Sequence, residues 1–220
     1  MKRIAMMGCP NVGKSVLFSR LTGVNVISSN YPGTTVDFTK GYTHIGGEKF
    51  ELIDVPGTYS LEPISKAEEV ARTMLQEADI IINVVDATHM ERNLYLTLEI
   101  LGMKKPTIIA LNLSDEAKHI GIDIDVRHLE KLLGVPVVPT CAISGEGVKE
   151  LTLKLRAAKQ SEQIKPMTEE ERWRKIGDII RKVQVVHHRH HTIREHIADI
   201  TVKPATGIPI AMIVIFLIFL

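Results

Sequence analysis

Eight residues near the start of the chain, Gly8-Cys9-Pro10-Asn11-Val12-Gly13-Lys14-Ser15, have the types and spacing to hold a polyphosphate. Glycines at both ends of a short loop let backbone N–H groups converge on one anion, and a helix opening behind them adds the positive end of its dipole. Lys14 is placed to reach the outer phosphates, and the Ser15 hydroxyl to coordinate Mg²⁺. Gly8, Asn11, Val12, Gly13, Lys14, Ser15 and Val16 are the candidate contacts on this side. Further on, Asp54-Val55-Pro56-Gly57 closes an apolar run, so a carboxylate can hold Mg²⁺ through water while the Gly57 N–H meets the terminal phosphate.

A third group sets the base. Asn112-Leu113-Ser114-Asp115 follows another apolar run, and a carboxylate there can accept both N1–H and N2–H₂ of guanine, a donor pair that adenine lacks. A wrong base would leave that carboxylate unpaired, which is costly once buried. Cys141-Ala142, after the next apolar run, supplies the small pair that backs a guanine ring. Thr34 and Thr35 lie in a polar stretch, residues 25 to 35, that reads as an exposed loop. A hydroxyl from that loop, for which Thr35 is the favoured source, can complete the Mg²⁺ shell when a γ-phosphate is present and let go after hydrolysis. GTP or GDP with Mg²⁺ is the ligand expected, and Asn11, Lys14, Thr35 and Gly57 are the candidates for catalysis. Thr58 stands where Ras-like switches place a water-orienting glutamine, so turnover must rest on backbone groups, a monovalent cation near Asn11 or a partner's residue, and slow intrinsic hydrolysis is expected.

The elements that must position these residues follow from hydrophobic periodicity. Ile4 to Met7 reads as a strand and Ser15 to Leu21 as a helix; Val36 to His44 and Lys49 to Val55 read as a hairpin turned at Gly46-Gly47. Helices over Ser65 to Gln76, Glu91 to Leu101, Val126 to Leu133 and Gly147 to Ala158 then alternate with apolar strands over Ile80 to Val85, Thr107 to Leu111 and Val135 to Pro139. Continuous apolar strands between helices predict a mostly parallel sheet with one antiparallel edge and helices on both faces, a Ras-like α/β domain over residues 1–160. Residues 161–203 read as a linker and a short helical, basic domain, helical over Glu169 to Asp199.

Composition narrows the partners. The net charge of +1 lacks the basic excess of a nucleic-acid binder, and the two cysteines, Cys9 and Cys141, fit a reducing cytosolic compartment. Pro204 to Leu220 contains no Asp, Glu, Lys, Arg or His and reads as the start of a first transmembrane helix, cut short of the ~20 apolar residues that a span needs. Eight Lys or Arg against three acids between Arg172 and Lys203 put that side of a membrane in the cytosol and suit contact with anionic lipid. His187, His188, His190 and His191 offer two rings one helical turn apart, but no neighbouring carboxylate or thiolate completes a metal-binding set, so an exposed helix face is the favoured reading.

Together the motifs resemble the ferrous iron transport protein B family. The resemblance is carried by Gly8-x-Pro-Asn-x-Gly-Lys-Ser, Asn30-Tyr-Pro-Gly-x-Thr-Val, Asp54-x-Pro-Gly-Thr-Tyr-Ser-Leu, Asn112-x-x-Asp and the passage through Lys203-Pro-Ala-Thr-Gly-Ile-Pro-Ile into an apolar run. It implies a GTP-hydrolysing domain facing the cytoplasm, a small helical domain and a multi-pass cell-membrane domain carrying Fe²⁺ inward, with K⁺ at Asn11 and assembly into a homo-oligomer left open. Two departures stand out: a helical region shorter than the family's usual one, and Cys141 in place of the commoner serine. Rival readings are a GTPase of ribosome or tRNA maturation, which predicts an RNA-binding appendage, and a tail-anchored switch that transports nothing.

Overall fold

Ile4, Ala5, Met6 and Met7 are all fully buried, and the strand they form, β1 (Lys2–Gly8), runs through the middle of a seven-stranded sheet. The computed structural model describes residues 1–23, 26–63, 65–187, 201, 206–209, 212, 215 and 216. After β1 come α1 (Lys14–Thr22), β2 (Val26–Asn30), β3 (Asp37–Ile45), β4 (Glu48–Asp54), α2 (Lys66–Glu77), β5 (Ile80–Asp86), α3 (Met90–Gly102) and β6 (Thr107–Asn112). Then follow α4 (Ser114–His119), β7 (Ile122–Ile124), α5 (Val126–Leu133), β8 (Val137–Pro139), α6 (Val148–Lys154), α7 (Glu169–Val183) and β9 (Gln184–Val186). The sheet order is β2-β3-β4-β1-β5-β6-β8, with β3 antiparallel to its neighbours and the remaining pairings parallel.

Strand periodicity divides the core between the two faces. Ile108 and Ala110 of β6 pack in one cluster with Leu17 of α1, Val70 and Leu75 of α2 and Leu151 of α6. Ile109 and Leu111 pack in the other, with Leu94 and Leu98 of α3, Leu129 and Leu133 of α5 and Ile176, Ile179 and Val183 of α7. Each large side chain buried in this way contributes roughly 1.5–3 kcal/mol. The fold is thus the expected Ras-like α/β arrangement.

Three details depart from the sequence reading. Part of the expected loop at residues 25 to 35 is β2, paired antiparallel with β3 from Val26 opposite Gly41 to Asn30 opposite Asp37. It is an edge strand and mostly exposed, so it carries no apolar alternation to reveal it. The expected helix from Glu169 ends at Val183 rather than running on, because β-branched Val185 and Val186 enter a two-stranded sheet with β7 and the Asp125 N–H donates to the Val183 carbonyl at 2.7 Å. The short elements α4 and β7 fall below the length at which periodicity speaks.

Contacts divide the chain into Met1–Val186 and His187–Leu220. His188, His190 and His191 lie outside the described residues, as does most of the apolar run from Pro204. Among the described residues no helix is long and apolar enough to cross a membrane, and no group of three or more His, Cys, Asp or Glu side chains could hold a metal ion.

Candidate nucleotide-binding site

The loop between β1 and α1 is shaped by backbone geometry before any side chain acts. Asn11 and Gly13 both adopt left-handed φ, 65° and 80°, which turns successive N–H groups inward ahead of the α1 start. A side chain at Gly13 would place its Cβ 2.4 Å from the Asn112 amide nitrogen, and one at Gly8 would lie 2.5 Å from the Val84 carbonyl oxygen. Both glycines are therefore required by close approach, and Gly13 by its positive φ as well. Val12 is buried, whereas Asn11, Ser15 and Val16 face solvent, so the amide, the hydroxyl and the helix start stand open to a ligand.

Parallel pairing of β1 with β4, with Met6 opposite Asp54, brings the second motif beside the first. The Lys14 ammonium forms an ion pair with the Asp54 carboxylate, both side chains being largely shielded from water. Gly57 presses on the loop: an added Cβ would sit 3.2 Å from the Gly8 carbonyl oxygen. Thr58, next along, is 8% exposed and its hydroxyl donates to the Ser60 carbonyl at 2.9 Å. That hydroxyl is also 3.3 Å from a Glu68 carboxylate oxygen, so Thr58 is committed to its own segment.

The base-recognition motif is tied to the phosphate loop across 100 residues of sequence. The fully buried Asn112 donates from Nδ2 to the Val12 carbonyl at 2.8 Å. Its Oδ1 accepts from the Ala142 N–H at 3.0 Å and from the Thr140 hydroxyl at 3.3 Å. One residue on, Leu113 takes a left-handed φ of 59°, rare for a branched side chain, and turns the chain so that α4 opens with Ser114 and Asp115. The Cys141 thiol donates to Asp115 Oδ2 at 3.2 Å, and this bond is the main reason the Asp115 carboxyl is held below the usual carboxylate range. Burial pushes the other thiol, Cys9 in the phosphate loop, up to about 11, so it is neutral at physiological pH.

The structure thus gathers Gly8, Val12, Gly13, Lys14, Asp54, Gly57, Asn112, Asp115, Cys141 and Ala142 at the ends of β1, β4, β6 and β8. It does not join Thr35 to them: Thr35 is exposed and makes no hydrogen bond among the described residues, while the Thr34 hydroxyl donates to the Tyr31 carbonyl at 2.9 Å. Three contributors escaped the sequence reading. Thr140 looked like any strand-ending threonine. Arg20 reads as a solvated helix residue, yet reaches the Ala142 and Ile143 carbonyls. Gly147 has φ 75° and no room for a Cβ beside the Pro139 carbonyl oxygen; its spacing from Gly145 was the available signal.

A phosphate-binding loop before the first helix, a DxPG turn against it, and an Asn-x-x-Asp motif braced by a backing loop define a guanine-nucleotide-binding domain of the Ras-like α/β class. Residues 2–155 match the family model described as ferrous iron transport protein B, and the chain belongs to that family. A Campylobacter jejuni protein named Fe(2+) transporter FeoB is 32% identical over 230 residues, covering 99% of this chain and 38% of that protein. The cytosolic domain of L. pneumophila FeoB superposes with a TM-score of 0.78 at 31% identity, over 84% of this chain and all of that one. The cytosolic domain of T. maritima FeoB in its GMPPNP form superposes with a TM-score of 0.70 at 41% identity, covering 82% and 75% of the two chains. The chain spans 18% and 23% of the length of two further relatives, from Porphyromonas gingivalis and Legionella pneumophila.

Proposed function

We propose that this chain is the guanine-nucleotide switch of a membrane Fe²⁺ transporter, binding GTP and hydrolysing it slowly on the cytoplasmic side. The observation that carries the reading is the Asn112 side chain, which bonds the phosphate loop with one end and the base-backing loop with the other, so both halves of one nucleotide site share a single brace. Solved relatives in GDP and GMPPNP forms support guanine nucleotide as the ligand. Family membership favours transport of Fe²⁺ over the ribosome- or tRNA-maturation and tail-anchored readings.

Lys14 exchanges its Asp54 partner for the β- and γ-phosphates when nucleotide enters, which frees Asp54 to face Mg²⁺. The donor set suits a hard cation: the Ser15 hydroxyl, the Asp54 carboxylate and, once its loop closes, the Thr35 hydroxyl. Mg²⁺ bound there neutralises phosphate charge. The exposed Asn11 carbonyl oxygen is the group on which K⁺ would rest. The Gly57 N–H donates to the γ-phosphate, so the segment that follows senses its loss. With the Thr58 hydroxyl engaged by Ser60 and Glu68, no side chain at that position orients water, and a low basal rate follows.

Asp115→Asn tests the reading. Removing the acceptor for two guanine donors should weaken GDP by about 100-fold or more and raise affinity for xanthosine diphosphate, measured by calorimetry with Mg²⁺ and K⁺. Unchanged GDP affinity, or no GDP binding by the parent chain, rejects it. Fe²⁺ uptake by a longer protein carrying the same change should then follow xanthosine triphosphate instead of GTP.

A further inference from the structure

The base-backing loop has an outside tether that the nucleotide motifs do not include. Its base is anchored by Asn112 and Asp115, and within the loop the Cys141 N–H donates to the Glu146 carbonyl at 3.0 Å and the Gly145 N–H to the Cys141 carbonyl at 2.8 Å. Its tip has no hydrophobic anchor, because the Ile143 side chain is 73% exposed. Arg20 supplies the missing restraint. Its Nε donates to the Ala142 carbonyl at 3.2 Å and its Nη2 to the Ile143 carbonyl, the planar fork spanning two successive peptide groups. Nη1 of the same guanidinium would lie 3.5 Å from a Cβ added at Gly145, so the loop folds closely over the group. Among the described residues no other side chain from outside the loop bonds these two carbonyls.

Arg20 stands in the last turn of α1, the helix that opens with Lys14 and Ser15. One nine-residue helix therefore meets the phosphates at its start and holds the base-backing loop at its end. We propose that Arg20 is a positioning residue that sets how long guanine nucleotide stays bound, by clasping the loop that must swing aside before the base can leave. The proposal rests on the nucleotide-binding reading above. It concerns release rather than chemistry, since among the described residues the Arg20 guanidinium bonds the Ala142 and Ile143 carbonyls and makes no hydrogen bond or ion pair with the phosphate loop or Asp115.

Stopped-flow release of fluorescently labelled GDP from the full chain is the test, with folding monitored by circular dichroism. Losing two hydrogen bonds in Arg20→Ala should speed release by about tenfold while association changes by less than about twofold. Arg20→Lys, whose ammonium reaches one carbonyl, should fall between. Competition by tripolyphosphate, which engages the phosphate loop alone, should be the same in all three proteins. Release from Arg20→Ala at the parent rate overturns the proposal, as does an equal loss of tripolyphosphate affinity, which would mark general damage to α1. A parent chain that binds tripolyphosphate but no GDP would instead reject the guanine reading itself.

Discussion

In the proposed role of guanine acceptor Asp115 serves only while ionised, and its thiol partner influences how far that state persists into acid. The Cys141 thiol is the first cause of its lowered pKa, ahead of the opposing burial and the backbone N–H groups of Glu116 and Asp115. A carboxylate with a depressed folded-state pKa contributes stability above its unfolded value and loses it only as pH falls through the lower one. Guanine binding should therefore survive below the usual aspartate range. Cys141→Ala removes the donor, so the acid limb of the GDP affinity profile should move to higher pH, while Cys141→Ser, which keeps a donor, should restore it. Calorimetric titrations from about pH 3 to 6 check this, spanning the ordinary carboxylate region and the range below it. Coincident profiles for the parent and Cys141→Ala would show that the thiol does not tune the acceptor.

At the scale of elements, the segment after Gly57 is fastened to two helices. Glu99 of α3 accepts from the Leu61 N–H at 2.7 Å and from the Ser60 hydroxyl at 3.2 Å, and Arg172 of α7 stands 3.1 Å from the same carboxylate. Both charged side chains are about nine-tenths buried, at 11% and 8% exposure. Arg172 lies over the Tyr95 ring at 4.4 Å, and its Nε and Nη1 have no aligned acceptor, so the attraction is mainly Coulombic. Burial raises the Glu99 pKa in spite of the Leu61 N–H and Arg172. Arg172→Met leaves that carboxylate without its cation and should cost roughly 3 kcal/mol, seen as a fall in melting temperature. The same change should speed hydrogen exchange at the Leu61 amide, because the latch and the segment loosen together. A melting point and exchange rate equal to the parent's would show that Arg172 is not part of the latch. None of this was legible in the sequence, where Glu99 and Arg172 look like ordinary helix-surface charges. The P-loop, DxPG and Asn-x-x-Asp residues were legible because their spacing is imposed by the ligand. The latch, Arg20 and β2 were not, because long-range pairing leaves no local period.

For the whole molecule, the question is where the nucleotide-binding unit ends. Sequence composition suggests a boundary at residue 160, ahead of a polar stretch with Pro166. Packing puts more of the chain to work: Ile164, Ile176, Ile179 and Val183 are buried among Leu94, Leu98, Leu101, Leu129 and Leu133. The Lys104 ammonium also donates to the Ser161 carbonyl at 2.7 Å and the Ile164 carbonyl at 2.5 Å. We propose that the folding unit for nucleotide binding is Met1–Val186, and that α7 belongs to its core. A chain cut after Val186 should unfold cooperatively and bind GDP within about threefold of the full chain, a difference under 1 kcal/mol. A chain cut after Gln160 would expose one face of α3 and α5 and lose four buried aliphatic side chains, each contributing roughly 1.5–3 kcal/mol, which exceeds or matches the whole stability margin of many domains. It should be aggregated or largely unfolded, and parallel denaturant titrations of the two chains would reveal the difference. Equal stability would mean that α7 rests on the domain without holding it together, and that the charged latch to Glu99 is its main attachment.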